Sequence, residues 1–308
     1  MQTVRQIPAK SQLEVGVHMR RAVILRLRTV LRPLRFWHLA SLDAPTVAVV
    51  WACAFARAAA VQLPPHVPLL LALVTWTLYV ADRLLDAARA GKTPATNRLR
   101  QRHHFHWRHR WVLGPMAIAA AAVSAALIVT LMPPAFRERN SVLAAVAMVY
   151  FTRVHAGTPK TLPPFRLRVP ALLRSKELWV GVLFTAGCAL PTLGRMAVGS
   201  PRLAGLWLAV AFFALLAWLN CYAIDRWENA PGRAHLARTG TLLALLGLVF
   251  ACAAAWLTAP AAVALLVAGS ASAGLLAVLD RVRQRLSPLA LRSAADLVLL
   301  APAVLLWR

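Results

Sequence analysis

Acidic residues are scarce in this 308-residue chain: ten Asp and Glu stand against 35 Lys and Arg. Cysteines are also few. Cys53, Cys188, Cys221 and Cys252 are widely spaced and form no CxxC, which removes a disulfide framework or a zinc ribbon and leaves small buried hydrophobes. No Gly/Ser linker or soluble module interrupts the sequence, so it reads as one transmembrane domain over 44–308 behind a basic N-terminal segment, 1–43. No nucleic-acid recognition motif accompanies the basic excess, and a nucleic-acid partner is not expected. No cleavable leader is expected either, because the first long apolar run begins after residue 43.

Long apolar runs are abundant instead. Sixty per cent of residues are hydrophobic, and the mean hydropathy is +0.62. The runs have the length of a helix crossing about 30 Å of hydrocarbon, where every backbone group must be satisfied internally. We read nine spans: 44–62, 67–87, 112–132, 139–154, 177–195, 203–224, 238–258, 260–279 and 291–307. The fold class expected is therefore an all-α polytopic membrane protein, with nine helices around a central cavity open to the cytoplasmic side. Of the basic residues, 28 fall in 1–43, 88–111, 152–176, 225–238 and 279–292, which lie on one side in this topology. By the positive-inside rule the protein sits in a bacterial-type inner membrane, N-terminus cytoplasmic and C-terminus outside, its basic loops against anionic headgroups. Residues 18–37 read as a basic amphipathic helix in the membrane interface, or as a disordered basic arm, and Pro33 kinks or ends the helix.

Four of the ten acids form two pairs at the inner ends of apolar runs: Asp82/Asp86 and Asp225/Glu228. Spacings of four and three put each pair on one helix face, and Asn229 adds a neutral oxygen. Carboxylates at a membrane helix end are costly to desolvate, and Mg²⁺ takes one or two of them together with phosphate oxygens. Facing pairs would suit a diphosphate, with Arg83, Arg226, Arg89, Lys92 and Lys176 neutralising the departing group. Trp76, Tyr79, Trp218 and Tyr222 would line an apolar slot whose ring faces shelter an allylic cation. The plainer alternative is ion pairing, invited by the neighbours Asp82-Arg83 and Asp225-Arg226.

These residues resemble the UbiA superfamily of intramembrane prenyltransferases. The similarity runs from Ser41-Leu-Asp-Ala-Pro45 to the last span. It includes Asp82-x3-Asp86, Lys176 leading into Trp179–Gly187, and Tyr222-Ala-Ile-Asp225-Arg226. It implies that Asp82, Asp86, Asp225, Glu228 and Asn229 hold Mg²⁺, and that Arg89, Lys92, Lys176 and Arg226 hold an isoprenyl diphosphate. The implied reaction transfers the prenyl group to a lipophilic acceptor, aromatic or a quinone precursor. The family's first motif is typically Asn-Asp-x2-Asp-x3-Asp; Leu78 and Tyr79 stand at its first two positions, and the second motif is also short of acids. A non-catalytic relative that binds a lipid or a partner is therefore a rival reading. A transporter fits less well, since its charges belong near mid-membrane.

Other features read more plainly. His103, His104, His106 and His109 alternate with arginines in a loop expected at lipid headgroups rather than on a metal. Arg292 and Asp296, four apart, are expected to pair structurally, as is Asp280 beside Arg281. Arg57 is expected to snorkel to the outer interface. The small-residue run 268–274 should let its helix approach a neighbour closely.

Overall fold

A computed structural model of the chain describes residues 33–90, 101–156, 175–197, 199–229, 236–257 and 259–306. The described residues are helical, without strands. In chain order the helices are α1 (Pro33–Leu39), α2 (Asp43–Ala59), α3 (His66–Ala90), α4 (Gln101–Arg108), α5 (Arg110–Leu131), α6 (Pro134–Ala156), α7 (Lys176–Leu193), α8 (Arg202–Asn229), α9 (Leu236–Trp256), α10 (Pro260–Val282), α11 (Pro288–Val298) and α12 (Ala303–Leu306). A 3₁₀ turn, Arg283–Arg285, links α10 to α11.

Each of the nine apolar runs coincides with helix, but not every helix is a span. Five are long and apolar enough to cross a membrane: α3, α5, α8, α9 and α10 with its 3₁₀ extension. Helices α1 and α2 form a sixth candidate, bent by 92°. The others fall short for physical reasons. Helix α6 carries Arg137, Glu138, Arg139 and Arg153, while α7 has 18 residues and opens on Lys176-Glu177. The ninth run breaks into α11 and α12. Pro33 is the first described residue and is helical, within α1. The rest of the proposed interfacial helix lies outside the described residues, as does Lys92.

Local chemistry fixes several helix ends. Ser175 Oγ accepts from Leu178 N at the start of α7, and Ser287 Oγ accepts from Ala290 N at the start of α11. Helix α2 closes on Ala60, whose left-handed backbone (φ 54°) lets its N–H reach the carbonyls of Ala56 and Arg57. Pro288 at the first turn of α11 removes an N–H that had no partner there anyway.

Helix α2 is the common wall, packing against α3, α7, α8, α10, α11 and α12. Its Trp51 and Phe55 meet Phe213 of α8, and the Trp51 and Phe213 rings stack at 3.8 Å and 18°. In lipid, such packing replaces the hydrophobic drive, so small residues matter more than apolar area. The run 268–274 behaves as expected at Gly269, where a Cβ would lie 2.7 Å from the Phe212 ring and 3.4 Å from Trp51. At Gly181, where α7 crosses α8, a Cβ would lie 2.8 Å from the backbone nitrogen of Trp218. Backbone cannot swing aside as a side chain can. Gly181→Ala is therefore expected to destabilise the protein by about 1–3 kcal/mol, read as a lower thermal midpoint in detergent. Gly274→Ala, which adds a methyl to open space, should leave the midpoint unchanged.

Large apolar side chains remain outside on α5 and α9, including Trp111 (78%), Ile118 (72%) and Val249 (63%). A helix apolar on its outer face suits a lipid neighbour. Arg57 is exposed on α2, in keeping with snorkelling.

Candidate functional site

The four predicted acids lie on α3 and α8, and the structure treats them differently. Asp225 is reached by Lys176 Nζ from α7 at 3.3 Å and by Asn229 Nδ2 at 2.9 Å. Lys176 also lies 3.6 Å from Glu177, and its carbonyl accepts from the Tyr150 hydroxyl of α6 at 3.1 Å. Burial opposes the Lys176 charge, but Asp225 and Glu177 outweigh it and hold its pKa above the ordinary value. Burial pushes the Tyr150 hydroxyl up, and Cys221, Glu177 and Asp82 add to the shift in that order. Thus α6, α7 and α8 bring Tyr150, Lys176, Glu177 and Asp225 into one chain of contacts, with Asp82 of α3 near enough to act weakly on the Tyr150 hydroxyl. Asp86, half-buried, is one turn further along α3 than Asp82, and Arg89 beyond it is exposed.

Glu228 takes another direction. Its Oε1 accepts from Arg292 Nη1 of α11 at 2.8 Å. That pair lines a cavity of about 400 Å³ with Trp227, Arg283 and Leu286, between the end of α8 and the 3₁₀ turn. Arg226 is not paired with Asp225 by contact; its guanidinium lies 5.0 Å from the Tyr222 ring, which stacks on Trp218. Two aromatic positions of the proposed slot have other duties. Trp76 Nε1 donates to Ala40 O at 2.9 Å, and Tyr79 lies 6.0 Å from the Arg83 guanidinium.

Mg²⁺ can be tested against these donors. Oxygen ligands are the right type, and Asp82, Asp86 and Asp225 offer them. Among the described residues, no three of the four acids converge closely enough for one ion. One or two carboxylates per ion, with phosphate oxygens completing the shell, is nevertheless the usual Mg²⁺ arrangement. On that basis Asp82 and Asp86 fit by donor type, and Asp225 fits once the long side chain of Lys176 leaves it, whereas Glu228 is held by Arg292 of α11.

A second polar cluster went unforeseen. At the corner between α1 and α2, His38 Nδ1 lies 2.6 Å from Asp43 Oδ2 and 3.6 Å from Asp296 Oδ2 of α11. Arg83 of α3 donates to His38 O at 2.9 Å and Ser41 Oγ at 2.7 Å, with its Nη2 3.5 Å from Asp43. His106 of α4 touches Ser41 Oγ at 3.1 Å, and Asn220 of α8 donates to Asp296 at 3.1 Å. His38, Ser41, Asp43, Arg83 and His106 are all buried. Ser41 is left-handed (φ 61°), a conformation costing about 1–3 kcal/mol in a residue other than glycine and kept only where surroundings enforce it. Burial works against a charge on His38, but Asp296 and Asp43 outweigh it and raise its pKa above the ordinary 6.5.

This cluster revises several expectations. Arg83 serves Asp43 rather than a diphosphate or its neighbour Asp82. Asp296 binds His38 and Asn220, and Arg292 binds Glu228, so the expected Arg292–Asp296 pair does not form. A spacing of four allows such a pair, but partners on other helices sit closer. His106 belongs to a helix and is fully buried rather than at the headgroups, because α4 folds back against the corner. Asp280 pairs with Arg283 at 2.9 Å, not Arg281, and also accepts from Trp227 Nε1 and Ala237 N. One clue to the corner was available: His38, Asp43 and Asp296 are ionisable residues flanked by apolar sequence.

The geometry can now be set beside known proteins. No protein family, characterised protein or solved structure matches this chain. The function must be argued from the residues themselves.

Proposed function

We propose that this protein transfers a prenyl group from an isoprenyl diphosphate to a lipophilic acceptor in the membrane, in the manner of the UbiA enzymes it resembles. One observation carries the reading: Lys176 and Asp225 lie in contact, and the fields of Asp82 and Glu177 meet at the adjoining Tyr150 hydroxyl. Acids and a cation from three helices, with a phenol from a fourth, thereby gather beside apolar helices. In this reading Asp82, Asp86 and Asp225 hold Mg²⁺, which when bound would offset the charge of the diphosphate. Lys176 swings from Asp225 to the phosphate oxygens; it is exposed and long enough to exchange one partner for another. Arg89, and Lys92 beyond the described residues, extend the basic rim. Trp218 and Tyr222 present stacked rings to the developing allylic cation, which needs an aromatic face and little water.

Purified protein in nanodiscs should release diphosphate from farnesyl or geranylgeranyl diphosphate when Mg²⁺ and a phenolic acceptor are supplied. Chelation and Asp82→Asn should each abolish the release. Donor binding that ignores chelation, Asp82→Asn and Asp225→Asn alike would sink the proposal.

A second reading has its own support. The pairs Asp225–Lys176 and Glu228–Arg292 leave two of the four acids already neutralised, as in a family relative that binds a lipid or partner without catalysis. That protein would bind the diphosphate lipid but release no diphosphate under any metal condition.

A further inference from the structure

We propose that His38 is a buried proton switch: protonated, it clasps the α1–α2 corner to α11 through Asp43 and Asp296; deprotonated, it lets the corner open. The inference is independent of the transferase reading and begins from charge. Asp43 and Asp296 bring two negative charges into a buried space, and Arg83 returns one positive. With a neutral imidazole the cluster keeps one net negative charge; with an imidazolium it is neutral. Uncompensated charge away from water is costly, so the closed corner favours the protonated form.

Among the described residues, the surroundings give no second fixed cation to supply that positive charge. From α2 comes Asp43; from α3, Arg83 and Tyr79, whose hydroxyl feels both acids. From α4 comes His106, spent on Ser41 Oγ. From α8 come Asn220, a neutral donor to Asp296, and Cys221, which feels the Asp296 charge. From α11 comes Asp296 itself. Among the described residues two groups can take up the neutralising proton, His38 and Asp296, whose carboxyl pKa is raised by burial, and only the imidazole lies against both carboxylates.

His38, Asp43 and Asp296 are also grouped closely enough to hold a metal ion. Two details favour the proton. The 2.6 Å from His38 Nδ1 to Asp43 Oδ2 is the separation of a close ion pair, which a proton on the ring makes attractive, although neither ring nitrogen meets hydrogen-bond geometry. The Arg83 guanidinium, 3.5 Å from the same carboxylate oxygen, would face a dication at close range, and the cluster would become net positive.

The sign of the pH effect follows. A group whose pKa is higher in the closed state stabilises that state fully below its open-state value, near 6.5, and the stabilisation is lost as pH rises through the raised value. Across that window the opening equilibrium should rise about tenfold per pH unit. The corner reports this directly. The amides of Ala40, Ser41 and Leu42 donate to the carbonyls of Phe36, His38 and Trp37, and the proposal requires that these turn bonds loosen when the corner opens.

The full-length protein in nanodiscs is examined by hydrogen exchange between pH 6 and 9, with each rate corrected for intrinsic exchange. Protection of residues 40–42 should fall about tenfold per pH unit through the window, while the α8 core around Phe213 stays constant. His38→Gln and Asp296→Asn should each flatten the corner's profile. If either variant fails to fold, the wild-type comparison of corner with core decides alone. Corner protection that does not change with pH overturns the proposal. So does added Zn²⁺ that restores protection at high pH, since the cluster would then be a metal site.

Discussion

Arg83→Met should destabilise the protein by about 3–5 kcal/mol, the range for removing one partner of a buried ion pair. The guanidinium holds three acceptors at once: His38 O, Ser41 Oγ and, at 3.5 Å, Asp43. Methionine has similar reach but no donor, so the carbonyl and the carboxylate are left without it in a space water does not enter. Ser41 would lose one of the contacts that enforce its left-handed backbone, and that strain would add to the loss. Thermal unfolding in detergent, followed by near-ultraviolet circular dichroism, measures the effect. Arg83→Lys keeps the charge without the fork and should recover only part of the midpoint. Were Arg83 instead a substrate-binding cation, Arg83→Met would leave the midpoint alone and weaken diphosphate binding.

Asp225→Asn should lower the rate of diphosphate release by about 100-fold or more, the scale for removing one group that stabilises developing charge. Glu228→Gln should cost less than about tenfold, although the two acids share a helix turn. The distinction comes from partners. Asp225 shares Lys176 with the region around Asp82, whereas Glu228 turns to Arg292 beside the 400 Å³ cavity. Steady-state assays on both variants, each checked for an unchanged thermal midpoint, decide it. Equal losses would put Glu228 back among the metal ligands, and no loss in either would favour the non-catalytic reading.

The helices were legible because apolar run length is a local signal, and each run is helical. Their number as spans was less so. Charges in α6, the charged start of α7 and the break between α11 and α12 separate a helical segment from one long and apolar enough to cross. At the site, spacing placed Asp225 and Glu228 on one face, but not which helix each would meet. Helix α8 is wide enough for residues three apart to reach α7 and α11 separately. The His38 corner was the hardest to foresee, since its residues are drawn from α1, α2, α3 and α11. Asp43 stood only as part of the Ser41-Leu-Asp-Ala-Pro45 resemblance, and nothing in a linear pattern pairs it with His38 and Arg83. The Arg292–Asp296 expectation shows the same limit: periodicity says which residues can meet within a helix, while tertiary packing decides whether they do.

The bonds around the break in the ninth run bear on the order of assembly. Trp51 Nε1 donates to Leu299 O at 2.9 Å, across 248 positions of sequence, and Ser272 Oγ donates to Val298 O at 2.7 Å. Both carbonyls lie where α11 stops, and within lipid they need such partners. Trp51 and Asp43 lie about 250 positions before their partners Leu299 and Asp296 (for Asp43, by way of His38). Until residue 299 has left the ribosome, the common wall of the fold keeps an unused donor and the corner lacks its second acid. The common wall of the fold is thus tied to a segment 248 positions away, so its last polar groups are satisfied only when both ends of that stretch are present.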